Sequence, residues 1–343
     1  MAVTSAALVL QSVTWSFSLI SISINALLIT SVRRERKTDN RFRWFNSIFL
    51  YSLYCNTLLA VLFPMIHPTY IPARNLIYIV FIGPFAAIFP KFILRLFYSF
   101  LIGIVTYQAC VAPITLILRW MVIQKRISCI IFYHKTVRLL FILSSIPLPI
   151  GNEIWMDFVK PSEKLQSYSE ASHIEAVRKL TVEDFAYFVV DWNFCYLILA
   201  FLIPYLIFFL ISLFFHRLYI RSIRNISNDC IDMGYHHSYT ISQTFLSIAL
   251  QNFLFVSLPH FILAITVLIR WELGIRALPF SFGAAVIPLT TATTLFIHFR
   301  AYRRQVGFLF IELLRQNNVN IPIFVINHPQ PSTHLQMSAA AIG

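Results

Sequence analysis

Charge is scarce in this chain. Its 27 Lys and Arg and 14 Asp and Glu make up only 12% of 343 residues, about half the share found in a soluble globular domain, and so exclude that class. Glycine is also scarce, with eight residues and no Gly-rich loop that could cradle a phosphate. There are five cysteines: Cys55, Cys110 and Cys195 within apolar runs, Cys129 and Cys230 in or beside basic segments. None lies in a segment expected outside the cell, so no structural disulfide is expected, and the spacings match no zinc or iron–sulfur site. Paired carboxylates and metal-ligand spacings of His, Asp and Glu are missing as well. The chain is therefore read as a non-enzyme with no cofactor and no metal.

What is present is apolar surface. Hydrophobic residues make up 58% of the chain, with 33 Phe and 15 Tyr, and the mean hydropathy is +0.72. Such a chain belongs in lipid, with rings packed against acyl chains and Tyr at the interfaces. The net charge of +13 does not imply nucleic acid as a partner, because the basic residues form short clusters next to apolar runs, as membrane-topology signals do.

Apolar runs at about 6–32, 44–66, 96–118, 139–155, 185–215, 241–269 and 277–299 predict seven transmembrane helices, since ~20 residues at 1.5 Å each span a ~30 Å hydrocarbon core. The run 139–155 is short and kinked near Pro147 and Pro149, and 185–215 is broken by Asp191 and Pro204. The segment 76–89, interrupted by Gly83-Pro84 and closed by Pro90, is too short to span and is expected as an outer hairpin or interfacial segment. Segments 33–43, 119–138, 216–239 and 300–315 hold six, five, three and four Lys or Arg, eighteen of the 27, whereas 153–184 is net acidic. The positive-inside rule then places the N-terminus outside and the C-terminus inside. The seven-helix domain covers 1–315 and ends in a short amphipathic helix on the inner leaflet from Val306 to Arg315, and 316–343 is expected as a disordered cytoplasmic tail. The acidic segment is expected as an outer loop with one helical portion at 169–179.

Ala249-Leu250-Gln251 followed by Leu258-Pro259, and Pro288 followed by Tyr302-Arg303, resemble the sixth and seventh helices of the nematode seven-transmembrane serpentine chemoreceptors, most closely the Str group. Leu118-Arg119-Trp120 resembles that group's Tyr-Arg-Tyr, Asn25 its lone first-helix Asn, and Val182-Glu183-Asp184-Phe185-Ala186-Tyr187 the stretch leading into helix five. The Tyr-Pro and Asp-Pro usual in the seventh helix are replaced here by Ile287-Pro288-Leu289 and threonines. The resemblance implies an all-α seven-transmembrane bundle in a sensory-cell plasma membrane, coupled to a heterotrimeric G protein. A disulfide from the top of helix three, usual in rhodopsin-like receptors, has no cysteines to form it.

Candidate ligand contacts are Tyr98 and Gln108 in the third span, Trp192 and Asn193 in the fifth, His260 in the sixth and Ser281 in the seventh. All but Gln108 fall in the outer halves of their helices, where a mostly apolar pocket with a few polar groups suits a small, neutral or weakly polar chemical cue. Candidate coupling residues at the inner end are Arg119, Arg224, Tyr302 and Arg303. Arg119 either changes partners when the helices shift or is a snorkelling anchor. Asn25, Asn46 and Asn56 are read as interhelical hydrogen-bond glue. A small-solute transporter is the rival function, although no charged residue lies deep in a span and no three-helix repeat is visible. An inverted receptor of insect type is the rival topology.

Overall fold

A computed structural model of the chain describes residues 5–38, 43–73, 76–124, 187–191, 193–226, 232–269, 280, 282–299 and 302–308. In chain order the elements are α1 (Ser5–Thr38), α2 (Arg43–Ile66), β1 (Pro68–Ala73), β2 (Leu76–Phe81), α3 (Phe85–Ile88), α4 (Lys91–Ile123), β3 (Tyr187–Asp191) and α5 (Asn193–Ile226). They are followed by α6 (Asp232–Asn252), a π-helical turn (Phe253–Ser257), α7 (Leu258–Leu268) and α8 (Gly283–His298). Met1–Gln305 forms one compact unit, and Val306–Gly343 forms a second, in which 306–308 are described and helical.

Among the described residues, five helical stretches are long and apolar enough to cross a membrane: Leu8–Arg34, Ile48–Ile66, Phe92–Met121, Tyr205–Arg224 and Tyr239–Leu268. Apolar α8 has 16 residues, ~24 Å of helix. The run 139–155, the acidic segment 153–184 with its helical portion, and the tail 316–343 lie outside the described residues. Several helices overrun the apolar runs that mark them. Arg33, Arg34, Arg36 and Lys37 belong to α1, and α5 carries Arg217, Arg221 and Arg224. Lys and Arg are good helix formers whose long stems reach water from a helix end, so the basic clusters extend the helices instead of ending them.

Beside its apolar core, the bundle buries a set of polar residues and leaves many large apolar ones exposed. In α1, Thr14, Ser18, Ser21 and Asn25 are buried, while Leu19, Ile20 and Leu27 are exposed. In α5, Leu206, Leu210 and Phe214 are exposed and Ser212 is buried. A water-soluble helix would be ordered the other way round. In lipid, the tails solvate leucine and isoleucine, and small hydroxyl residues let helices approach. Thr14 and Ser31 donate to the carbonyls four residues back, Leu10 and Leu27, so their hydroxyls are satisfied within the helix.

The expectation of an all-α chain is corrected by a three-stranded antiparallel sheet in the order β1-β2-β3. The 76–89 segment does form part of a hairpin, with Tyr70 opposite Ile79 and Ile71 opposite Tyr78. β1 contains Pro68 and Pro72, which cannot donate to a ladder and are tolerated because β1 is an edge strand. β3 occupies the beginning of the run expected as the fifth span, so α5 starts later, at Asn193. The hairpin is tied to the end of α2: Gly83 N–H donates to Ile66 O at 3.1 Å and Ile82 N–H to His67 O at 3.2 Å. A side chain at Gly83 would strike the carbonyls of Met65 and Ile66. His67 makes the turn from α2 into β1 with φ 42°, in the left-handed region that commonly ends helices.

Two apolar clusters divide the bundle along its length. One lies against the sheet and includes Leu59, Phe63, Tyr70, Phe81, Tyr98, Val105, Val256 and Ile287. The other lies toward the basic end and includes Leu28, Phe49, Leu53, Val111, Phe245, Ala249, Ala292 and Tyr302. Along each helix the buried amides Asn56, Gln108 and Asn252 fall between residues of the two clusters, so a polar layer crosses the middle of the bundle.

Candidate functional site

At the hairpin end, two of the sequence-predicted ligand residues meet through a third that the sequence reading left out. Tyr98 on α4 is buried, and its hydroxyl lies 2.9 Å from the hydroxyl of Tyr70 on β1. The Tyr70 ring meets His260 of α7 edge to face, with centroids 5.1 Å apart. Phe81 of β2 packs edge to face on Tyr98 at 5.8 Å. Nearby, Thr106 and Tyr205 join α4 to α5 through a 2.8 Å hydroxyl pair. Burial pushes the Tyr70 hydroxyl up to about 12, partly offset by the bond to Tyr98. It is therefore neutral across the physiological range. His260 Nδ1 bonds Val256 O at 2.6 Å; a carbonyl only accepts, so Nδ1 carries the proton and Nε2 is left as an acceptor. The cluster thus offers aromatic faces, hydroxyls that donate or accept, and an imidazole.

Gln108 does not belong to this cluster. It lies ten residues beyond Tyr98 on α4, ~15 Å along the helix axis, and donates from Nε2 to Asn56 Oδ1 of α2 at 2.7 Å. Asn193 opens α5 directly after the sheet, while Trp192 and Ser281 lie outside the described residues. Asn25 acts as the expected glue, donating to Pro288 O of α8 at 3.3 Å and to Ser21 O at 2.8 Å. Cys55 and Cys110 are free thiols.

At the basic end, Arg119 is buried in the last turns of α4, with its guanidinium 4.7 Å from the ring centre of Tyr219 on α5. That contact is worth about 2 kcal/mol where water is excluded. Tyr302 is buried against Phe299, with centroids 5.0 Å apart, and against Phe49 at 6.4 Å. Arg224 is exposed on the last turn of α5. Arg303 is exposed and donates to Phe296 O at 3.3 Å and to Ile297 O, which caps the carbonyl end of α8 and gives it a structural task. The four coupling candidates therefore divide into two buried side chains and two exposed ones.

Sequence reasoning missed a pair of histidine clamps on α6. His216 Nδ1 of α5 lies 2.9 Å from Ser242 Oγ, and His298 Nδ1 of α8 lies 2.9 Å from Thr244 Oγ1. Gln251 donates to Thr294 Oγ1 at 2.5 Å. The available signal was the polar residues repeated through two otherwise apolar runs, which cost too much in lipid to be left without partners. No protein-family model and no curated protein matches the chain.

Proposed function

We propose that the chain is a G-protein-coupled chemosensory receptor of seven helices in the plasma membrane of a sensory cell, with its N-terminus outside and its C-terminus inside. A small, neutral or weakly polar cue binds at the hairpin end, and a heterotrimeric G protein engages the basic end near Arg119, Arg224 and Tyr302. The observation that carries this reading is the separation of two specialised ends by an uncharged, helical middle. Tyr70, Tyr98 and His260 gather hydroxyl and aromatic groups at one end, and Arg119 is held over Tyr219 at the other. Ligand binding shifts the population between two bundle arrangements, and the helices carry the difference to the far end. The membrane embedding supports this reading, as does the sequence resemblance to the nematode serpentine receptors.

The test is expression of the full chain with a heterotrimeric G protein and exposure to a panel of small neutral compounds, with nucleotide exchange, calcium or cAMP as the readout. Ligand-dependent exchange is the expected result. Saturable uptake of a solute into vesicles, with no exchange on any G protein, would establish the transporter instead.

A further inference from the structure

The hairpin-end cluster already contains the side chain of a phenol. Tyr70 projects from β1, which packs against α7, and its ring and hydroxyl are buried with those of Tyr98. The surrounding cluster is apolar: Leu59, Phe63, Leu101, Val256 and Leu263 are among its members. A buried hydroxyl in such surroundings is costly unless it is paired, and a phenylalanine would fill the same volume without that cost. The Tyr70–Tyr98 hydroxyl pair is thus a small polar site in an apolar wall, with an aromatic edge supplied by His260. Its occupant comes from an edge strand of the sheet. β1 has six residues, two of them prolines, lies at the sheet edge, and is entered through His67 at φ 42°.

We propose that Tyr70 is a built-in occupant of the ligand site and that the ligand class is a neutral aryl alcohol. The ligand's hydroxyl takes over the bond to Tyr98, its ring takes over the edge contact with His260, and β1 is displaced. The assignment rests on the receptor reading only in calling that molecule the cue, since binding itself can be measured without a G protein. A site whose open form is a minor population binds more weakly in proportion to that fraction, so Tyr70 sets the threshold of response.

The experiment uses purified full-length protein in lipid nanodiscs, with 4-methylphenol, the tyrosine side chain itself, as probe and toluene as the control lacking the hydroxyl. Tyr70→Ala should bind 4-methylphenol about tenfold or more tightly than wild type. Tyr70→Phe, which keeps the ring and so guards against a folding failure, should fall between the two. Tyr98→Phe in the Tyr70→Ala background should weaken 4-methylphenol by about tenfold and leave toluene unchanged. In the wild-type protein, 4-methylphenol should speed amide hydrogen exchange at Thr69, Tyr70 and Ile71, and toluene should not. Unchanged exchange in wild type at concentrations that saturate Tyr70→Ala would overturn the proposal, because Tyr70 would then be a permanent core residue. Toluene binding as well as 4-methylphenol would overturn it too. If 4-methylphenol binds and loosens β1 but no ligand drives nucleotide exchange, the site stands and the receptor reading fails.

Discussion

Gly283, the first residue of α8, sits directly against the backbone carbonyl of Phe255 in the π-helical turn, so closely that a Cβ would overlap the oxygen. The residue four positions beyond Phe255 is Pro259, which has no N–H for that carbonyl. The π turn shifts the hydrogen bonding, with Leu258 N–H reaching Phe253 O, and a glycine of α8 covers the distorted backbone. Gly283→Ala must push two helices apart and should cost about 3 kcal/mol, at the upper end of overpacking penalties. Thermal unfolding in detergent checks this, and a wild-type melting temperature would show that the contact gives way freely.

Gln108 and Asn56 supply a double-mutant test of the polar layer. Removing either amide leaves the other buried in the bundle without its partner, so Gln108→Leu and Asn56→Leu should each lower stability by about 1–3 kcal/mol. The double substitution removes both groups and should be less destabilising than the sum. On the receptor reading, since Gln108 lies away from Tyr98 and His260, ligand affinity at the hairpin end should hardly change in any of the three. A large loss of affinity in Gln108→Leu would bring the ligand site down into the polar layer.

Arg119 and Tyr219 separate anchoring from signalling. On the receptor reading, Arg119→Ala should abolish ligand-evoked nucleotide exchange while surface expression and ligand binding persist. Tyr219→Phe keeps the ring face under the guanidinium and should retain most of the response, whereas Tyr219→Ala should lose it. A full response from Arg119→Ala would leave the arginine as a membrane anchor.

His67 gives the hairpin a measurable pH dependence. It is fully buried, has no hydrogen-bond partner on either ring nitrogen among the described residues, and burial pushes it from 6.5 down to about 4. Its folded pKa lies below its unfolded value, so the neutral ring's contribution to stability is fully present above about pH 6.5. That contribution is lost as pH falls toward 4, a difference of ~3 kcal/mol. Asparagine does not titrate and tolerates the left-handed backbone found at this position. His67→Asn should therefore flatten the fall in melting temperature between pH 7 and pH 5, and an unchanged slope would assign the titration to other groups.

The five membrane-length helices among the described residues were legible because lipid imposes a simple requirement: about twenty apolar residues in a row, bounded by charge. Their ends were less legible, since residues such as Arg34 and Arg221 continue a helix as well as they end an apolar run. The sheet was partly legible: Gly83, Pro84 and Pro90 rule out a span over 76–89 and point to a hairpin. The pairing of β2 with β3 joins residues more than a hundred apart, such as Leu76 with Asp191, and no local pattern encodes it. The contact cluster of Tyr70, Tyr98 and His260 was half visible for the same reason. Tyr98 and His260 stood out as polar residues in apolar runs, whereas Tyr70 lay among prolines, where only the tertiary packing of β1 on α7 gives it a role.

Membrane orientation is the premise behind the assignment of the two ends, and a single sequon can test it. Asn225-Ile226-Ser227 is the chain's only Asn-x-Ser/Thr sequence, and Asn225 lies at the basic end of α5. Glycans are added on the lumenal side, so with the basic end in the cytoplasm Asn225 should carry none. A second sequon made in the acidic segment, by Gln166→Asn with Tyr168→Thr, should be modified in the same cells. Each chain is read as a gel shift that a glycosidase removes. A shift in the engineered chain that disappears when Asn225→Gln is introduced, with none attributable to residue 166, would turn the bundle over. Arg119 would then face outward, G-protein engagement at the basic end would be impossible, and the inverted receptor would replace the present reading.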